Sequence, residues 1–239
     1  MPKLEISKVH DAYSDPGECP LCLLERDAER TYLTSFQHSR VMEPNVRVQT
    51  NRQGFCPSHF RKLYDGENKL GLGLVVHTHL RELAGEVGSL LDDLVKSREG
   101  RGGKDRTSAV AAALREQRDS CFICGLLRKD TERYILTILY LWNKDPEFLT
   151  VFRASRGFCI PHCAGALEQA SKSMRADRLR RWLADVVPLM KGSLGSLERD
   201  LHAFTQLHQA GNASPGTDLE RSALGRTLQK IAGGLFGGR

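Results

Sequence analysis

The chain has no long apolar run, no strand-like alternation and none of the short catalytic signatures that 239 residues could carry. No stretch reaches the roughly 20 apolar residues needed to span a bilayer. The opening Met1-Pro2-Lys3-Leu4-Glu5-Ile6-Ser7-Lys8 lacks the apolar core of a secretory signal, so a cytoplasmic location is expected. There is no H-E-x-x-H and no Glu-x-x-His of the di-iron bundles. Neither G-x-x-x-x-G-K-[ST] nor G-x-S-x-G is present. Neither C-x-x-C is followed by histidine, which excludes covalent haem attachment. The thioredoxin comparison fails as well, because that motif belongs after a strand in a βαβ setting. An enzyme reading therefore has little support.

What the chain does have, it has twice. Cys19-Pro20-Leu21-Cys22 is answered by Cys121-Phe122-Ile123-Cys124, and Gly54-Phe55-Cys56-Pro57-Ser58-His59 by Gly157-Phe158-Cys159-Ile160-Pro161-His162. The register is nearly constant: 121 − 19 and 124 − 22 both give 102, while 159 − 56 and 162 − 59 both give 103. Pro44 and Pro146, and Tyr32 and Tyr134, also sit 102 apart. A period of this length marks a duplicated domain rather than a short solenoid unit.

The duplication divides the chain into a polar arm over 1–17, a first repeat over 18–97 and a linker over 98–106. A second repeat follows over 107–210, then a further linker and amphipathic basic tail over 211–239. Leu21, Leu24, Ala28, Tyr32 and Phe36 recur at helical spacing. Glu43-Pro44 and Asp145-Pro146 each open a helix, since proline suits the first turn, and Gly54 and Gly157 close them. A helix is expected from about Leu70 to Val95, and an alanine-rich one from Ser108. A longer one carries Leu179, Leu183, Val186, Met190, Leu194, Leu197, Leu201 and Phe204, with Pro188 expected to kink it. In the tail, Thr217 and Glu220 form a capping-box signature. Leu224, Leu228, Ile231 and Leu235 give an apolar stripe there, with Arg221, Arg226 and Lys230 among them. The fold class read from this pattern is all-α.

Each repeat offers three cysteines and a histidine, a known closed tetrahedral zinc set. The candidate ligands are Cys19, Cys22, Cys56 and His59 in one half, and Cys121, Cys124, Cys159 and His162 in the other. Two zinc ions are expected, each tying the helix ends of one half. Side chains three apart at a helix start lie on one side, and the helix N-terminus favours thiolate. Three thiolates and a neutral imidazole leave a charge of −1 around Zn²⁺, which Arg52 and Arg156 could offset in part. Cys163 stands where the first half has Phe60. It is a core cysteine, a spare thiol, or a replacement for His162 as ligand.

At these residues the chain resembles an uncharacterised prokaryotic family, a domain of unknown function. Its members carry C-P-x-C near the N-terminus and G-F-C-x-x-H phrases downstream. The resemblance covers roughly 18–208 and leaves the tail outside. The second C-x-x-C departs from the family form by lacking proline. The family implies metal sites and supplies no activity.

Three functions fit. The first is a non-catalytic zinc-binding scaffold, adaptor or regulator with an unknown protein partner. The second is a thiol-based redox or metal-responsive sensor, in which Cys163 could resolve an oxidised thiol. The third is nucleic-acid binding through Arg175, Arg178, Arg180 and Arg181 with the linker's Arg98, Arg101, Lys104 and Arg106. Against the third, no aromatic residues are interleaved to stack bases. The basic tail is expected to dock on its own body or to be loosely ordered, with an anionic membrane surface or a partner as the alternatives.

Overall fold

The computed structural model describes residues 4–38, 40–96, 103–207 and 215–236. Among these there is no strand, and the α-helices are α1 (Ile6–Tyr13), α2 (Pro20–His38), α3 (Pro44–Gln53), α4 (Pro57–Asp65), α5 (Lys69–Lys96) and α6 (Gly103–Asp119). They continue with α7 (Phe122–Lys144), α8 (Pro146–Ala154), α9 (Ile160–Ser173), α10 (Ala176–Leu207) and α11 (Asp218–Ala232). The all-α reading holds. No helix among the described residues is long and apolar enough to cross a membrane.

Local chemistry sets the ends. Proline opens α3, α4 and α8, and Asp145 caps α8 by accepting from the N–H groups of Glu147 and Phe148 at 3.0 Å. Gly54 ends α3 at φ +56°, a conformation that favours glycine. α8 ends at Ala154, and Gly157 (φ +70°) follows it in the loop. α10 runs on through Pro188. The capping box of Thr217 and Glu220 is formed at α11.

The compact units do not follow the sequence repeats. One contains 1–28 and 129–239; the other contains 29–128. The first has a core of Tyr13, Leu21, Ile138, Trp142, Phe148, Phe152, Phe158 and Trp182. Trp182, outside the leucine series read from the sequence, is completely buried on α10 beside Val186 and Met190. The second unit has a smaller core of Phe36, Val41, Val46, Phe55, Leu63, Val75, Phe122 and Ile123.

Two readings need correction. The N-terminal arm contains α1, whose Val9, Ala12 and Tyr13 are buried, with Tyr13 edge-on to Phe148 at 4.8 Å. These three lie at i, i+3 and i+4, one face of a helix too short to show a period. The expected linker shortens from its far end, because Gly103 to Arg106 already belong to α6; residues 97–102 and 208–214 lie outside the described residues.

The tail, finally, docks by its polar side. Ala223, Gln229 and Lys230 are buried, while Leu224, Leu228 and Ile231 face outward. The cause is Glu18, buried at 1 % exposure. An unpaired carboxylate there would cost several kcal/mol. Arg226 Nε and Arg156 Nη1 donate to its Oε1 at 2.7 and 2.6 Å, and Lys230 Nζ lies 3.2 Å from its Oε2.

Candidate metal centres

The eight candidate ligands form two groups, and the pairing differs from the expected one. Cys19 and Cys22 meet Cys159 and His162; Cys56 and His59 meet Cys121 and Cys124. Each C-x-x-C therefore joins the G-F-C-x-x-H of the other repeat. Each compact unit still contains one complete group.

Helix length explains the exchange. From Cys22 the chain climbs α2, whose 19 residues span about 28 Å. The 10 residues of α3 bring it back only about 15 Å. His59 therefore arrives beside Glu29, ten positions past Cys19, with Nε2 to Oε1 at 2.9 Å. The second repeat has the same imbalance, 23 residues in α7 against 9 in α8.

All four half-sites use one local device. Cys56 is the N-cap of α4 and Cys159 that of α9, while Cys19 and Cys121 immediately precede α2 and α7. The second ligand of each pair, three residues on, lies in the first helical turn, so both point to one side. Helix N-termini also supply free N–H groups and positive potential to thiolates.

The distances suit one ion per group. In the first, His162 Nδ1 lies 3.4, 3.5 and 3.1 Å from the sulfurs of Cys19, Cys22 and Cys159, and Cys22 and Cys159 are 3.7 Å apart. In the second, His59 Nδ1 lies 3.2, 3.3 and 3.4 Å from Cys56, Cys121 and Cys124, and Cys56 and Cys124 are 3.8 Å apart. A tetrahedral ion bonded to sulfur at about 2.3 Å and nitrogen at about 2.05 Å sets edges of about 3.8 and 3.5 Å. Without rearrangement, both groups could therefore hold such an ion.

Each histidine is also oriented from behind. His59 Nε2–H donates to Glu29, which is held in turn by Lys62 Nζ at 2.6 Å. His162 Nε2 lies 3.1 Å from Glu25, which accepts from Thr131 Oγ1 at 2.7 Å. A carboxylate on the far ring nitrogen leaves Nδ1 for the metal and is the usual outer support of a ligating imidazole.

Residues 2–237 match the model of a family described as of unknown function, DUF6062. The chain belongs to that family. No curated protein and no solved structure matches it. The DUF6062 match takes in α1 and α11, beyond the span of roughly 18–208 read from the motifs, in keeping with the packing of both helices on the first unit.

The electrostatics are those of a proton-loaded ligand set. Burial would lower His59, but hydrogen bonding with Cys121 and Glu29 outweighs it and raises the ring to about 10. Burial acts on His162 in the same sense, and Cys159, Cys19 and Glu25 raise it to about 12. Within each group one thiol is pushed down and one up. Against the cost of burial, hydrogen bonds from its neighbours hold Cys19 well below the usual thiol range, while Cys159 and Cys19 drive Cys22 far above it. In the second group His59 brings Cys121 to about 6 despite burial, and burial together with Cys121 lifts Cys124 to about 12.

Cys163 is outside both groups and packs, half-buried, against the core of the first unit, the place of Phe60 in the other repeat. Arg156 contacts Glu18, and Arg52 is exposed. Of the other histidines, His79 is held by an Nδ1–H bond to the Asn51 carbonyl at 2.6 Å. Glu25 and Glu29 were missed in the sequence. Two glutamates four apart on the helix that follows a C-x-x-C were the available signal.

Proposed function

We propose that this protein is a non-catalytic helical scaffold or adaptor folded around two zinc ions. The observation that carries the reading is the pair of closed three-cysteine, one-histidine groups, each with its imidazole oriented by a glutamate. Three thiolates and an imidazole in a tetrahedral arrangement suit zinc. A four-ligand site leaves no open position for a substrate. Both units place the ligands at helix starts, so the ions hold the ends of otherwise separate helices together. Seven cysteines with no disulfide among them suit a reducing, cytoplasmic setting.

The target is expected to be a protein. The outward Leu224, Leu228 and Ile231 of α11 support that choice. The inward turn of Arg226 and Lys230 weighs against an anionic membrane, because it removes two of the three cations on α11. Nucleic-acid binding draws support from the exposed Arg175, Arg178, Arg180 and Arg181 at the start of α10. Salt-dependent retention on DNA or RNA at low ionic strength would bring that reading forward.

Elemental analysis of anaerobically purified protein, with parallel circular dichroism during chelation, tests the main proposal. Two zinc ions per chain, and loss of helix as they are removed, is the expected result. A fully folded metal-free chain that takes up no zinc would overturn it.

A further inference from the structure

We propose that the two centres have different jobs: the Cys19 centre is a permanent structural site locked by α11, and the Cys56 centre is where metal is exchanged with the surroundings. This rests on the metal-binding reading above.

The two ligand sets are chemically identical, so the difference must come from what surrounds them. At the Cys19 centre all four ligands are buried, the three cysteines at 2 % exposure or less. At the other, Cys56 and Cys124 are partly exposed while Cys121 and His59 are buried. A competing ligand replaces a thiolate by approaching the ion from solvent, and the shell around a site controls that access.

The backbone shows how each centre is closed. At the Cys56 centre the loops that carry the two half-sites are joined directly, by Phe122 N–H donating to the Gly54 carbonyl at 3.0 Å. The residue equivalent to Phe122 in the other centre is Pro20, which has no N–H to donate. Lys230 of α11 fills that gap. Its ammonium donates to the carbonyls of Glu18 at 2.9 Å, Arg156 at 2.7 Å and Phe158 at 3.4 Å. Glu18 and Phe158 are the residues immediately before ligands Cys19 and Cys159, so one side chain clamps both ligand loops. The end of α11 then lies over the metal position: a Cβ on Gly233 would stand 3.6 Å from Cys159 Sγ.

Charge points the same way. Three thiolates, one imidazole and a divalent ion leave −1 on each centre, and burial makes that charge costly. Lys230, completely buried beside the Cys19 centre, offsets it, since Arg226 and Arg156 already neutralise its other partner, Glu18. No other lysine is buried among the residues whose side chains are described, and none there serves the Cys56 centre as Lys230 serves the other. Its negative charge depends on solvent and on the half-exposed Lys62, which reaches it through Glu29.

The test uses the zinc-loaded full chain and a chromogenic zinc chelator. Two kinetic phases of one ion each are expected. Pulse alkylation with N-ethylmaleimide during the fast phase, followed by peptide mapping, should label Cys56, Cys121 and Cys124 before Cys19, Cys22 and Cys159. Lys230→Met should accelerate the slow phase by roughly ten- to a hundred-fold and leave the fast phase unchanged. Release of both ions in a single phase, or labelling of Cys19 and Cys22 first, would overturn the proposal even if the wild-type chain were the only one to fold. A chain that binds two ions yet shows that result refutes this inference alone; a chain that binds none refutes the metal reading beneath it.

Discussion

Replacing Glu29 asks how much of a metal site lies outside its ligands. The carboxylate accepts from His59 Nε2–H at 2.9 Å and from Lys62 Nζ at 2.6 Å. Loss of an outer carboxylate typically weakens metal binding about 10- to 100-fold, or about 1.4–2.8 kcal/mol. Glu29→Gln keeps an acceptor oxygen without the charge and belongs at the lower end. Glu29→Ala removes both and belongs at the upper end. The loss of the Lys62 contact adds little, because that side chain is 44 % exposed.

A second effect opposes the first. Without metal, the same carboxylate helps to hold the proton on His59, whose pKa of about 10 stands against the burial that would lower it. Because that pKa is raised, the ring is protonated at pH 7, and zinc must displace the proton. Glu29→Ala lowers the His59 pKa and weakens this competition, so part of the lost affinity returns at neutral pH. The deficit should therefore widen as the pH is raised from 7 towards 9. Competition against a zinc chelator of known affinity, read at both pH values, measures it. A change of less than about two-fold at pH 9, where ten-fold or more is expected, would refute the orienting role. So would a deficit that shrinks as pH rises.

Zinc uptake by the Cys56 centre at pH 8 should expel at least the protons of His59 and Cys124, held near 10 and 12, and a pH-stat titration in weak buffer would record them. Gly54→Ala should destabilise its unit by about 1–3 kcal/mol, since the residue sits at φ +56° and a Cβ there would lie 2.5 Å from His79 Nε2; a lowered urea midpoint is the readout. Trp182→Ala removes a completely buried ring from the larger core, a loss of about 3–5 kcal/mol, visible in the same experiment through the fluorescence of Trp142.

The eight candidate ligands were legible in the sequence because spacing alone marks them. A step of three positions between cysteines at a helix start is a local rule, and so is the phrase that ends in His59 or His162. Helices were legible for the same reason, with Pro44, Pro146, Gly54 and the Thr217–Glu220 box marking their ends. Pairing was not legible, because it depends on how far α2 and α7 carry the chain relative to α3 and α8. That is a difference of lengths, and no motif states it. The inward face of α11 was not legible for a related reason. Its leucine stripe is a strong periodic signal, but a single buried carboxylate more than 200 residues earlier, Glu18, decides which side turns inward. Trp182 was open to the same reading, since it stands three residues after Leu179 and four before Val186, on the face that the apolar series marks.

The exchanged pairing also bears on how the chain reaches its fold. The groups are nested: the His59–Cys121 closure lies inside the Cys22–Cys159 closure, with sequence separations of 62 and 137. Loop entropy distinguishes these by only about 0.7 kcal/mol, too little to fix an order of assembly. The order of synthesis imposes one. Cys19 and Cys22 emerge first, and the next ligands to appear are Cys56 and His59 of the same repeat, which would complete a chemically correct but non-native set. What prevents it is the length of α2, which has already carried the chain past Glu29 before His59 arrives. A zinc ion caught between the two half-sites of one repeat would forfeit the packing that seats His59 beside Glu29. The Cys56 centre can therefore close once Cys124 is made, while the first two cysteines wait for Cys159, His162 and the lysine of α11 that clamps them.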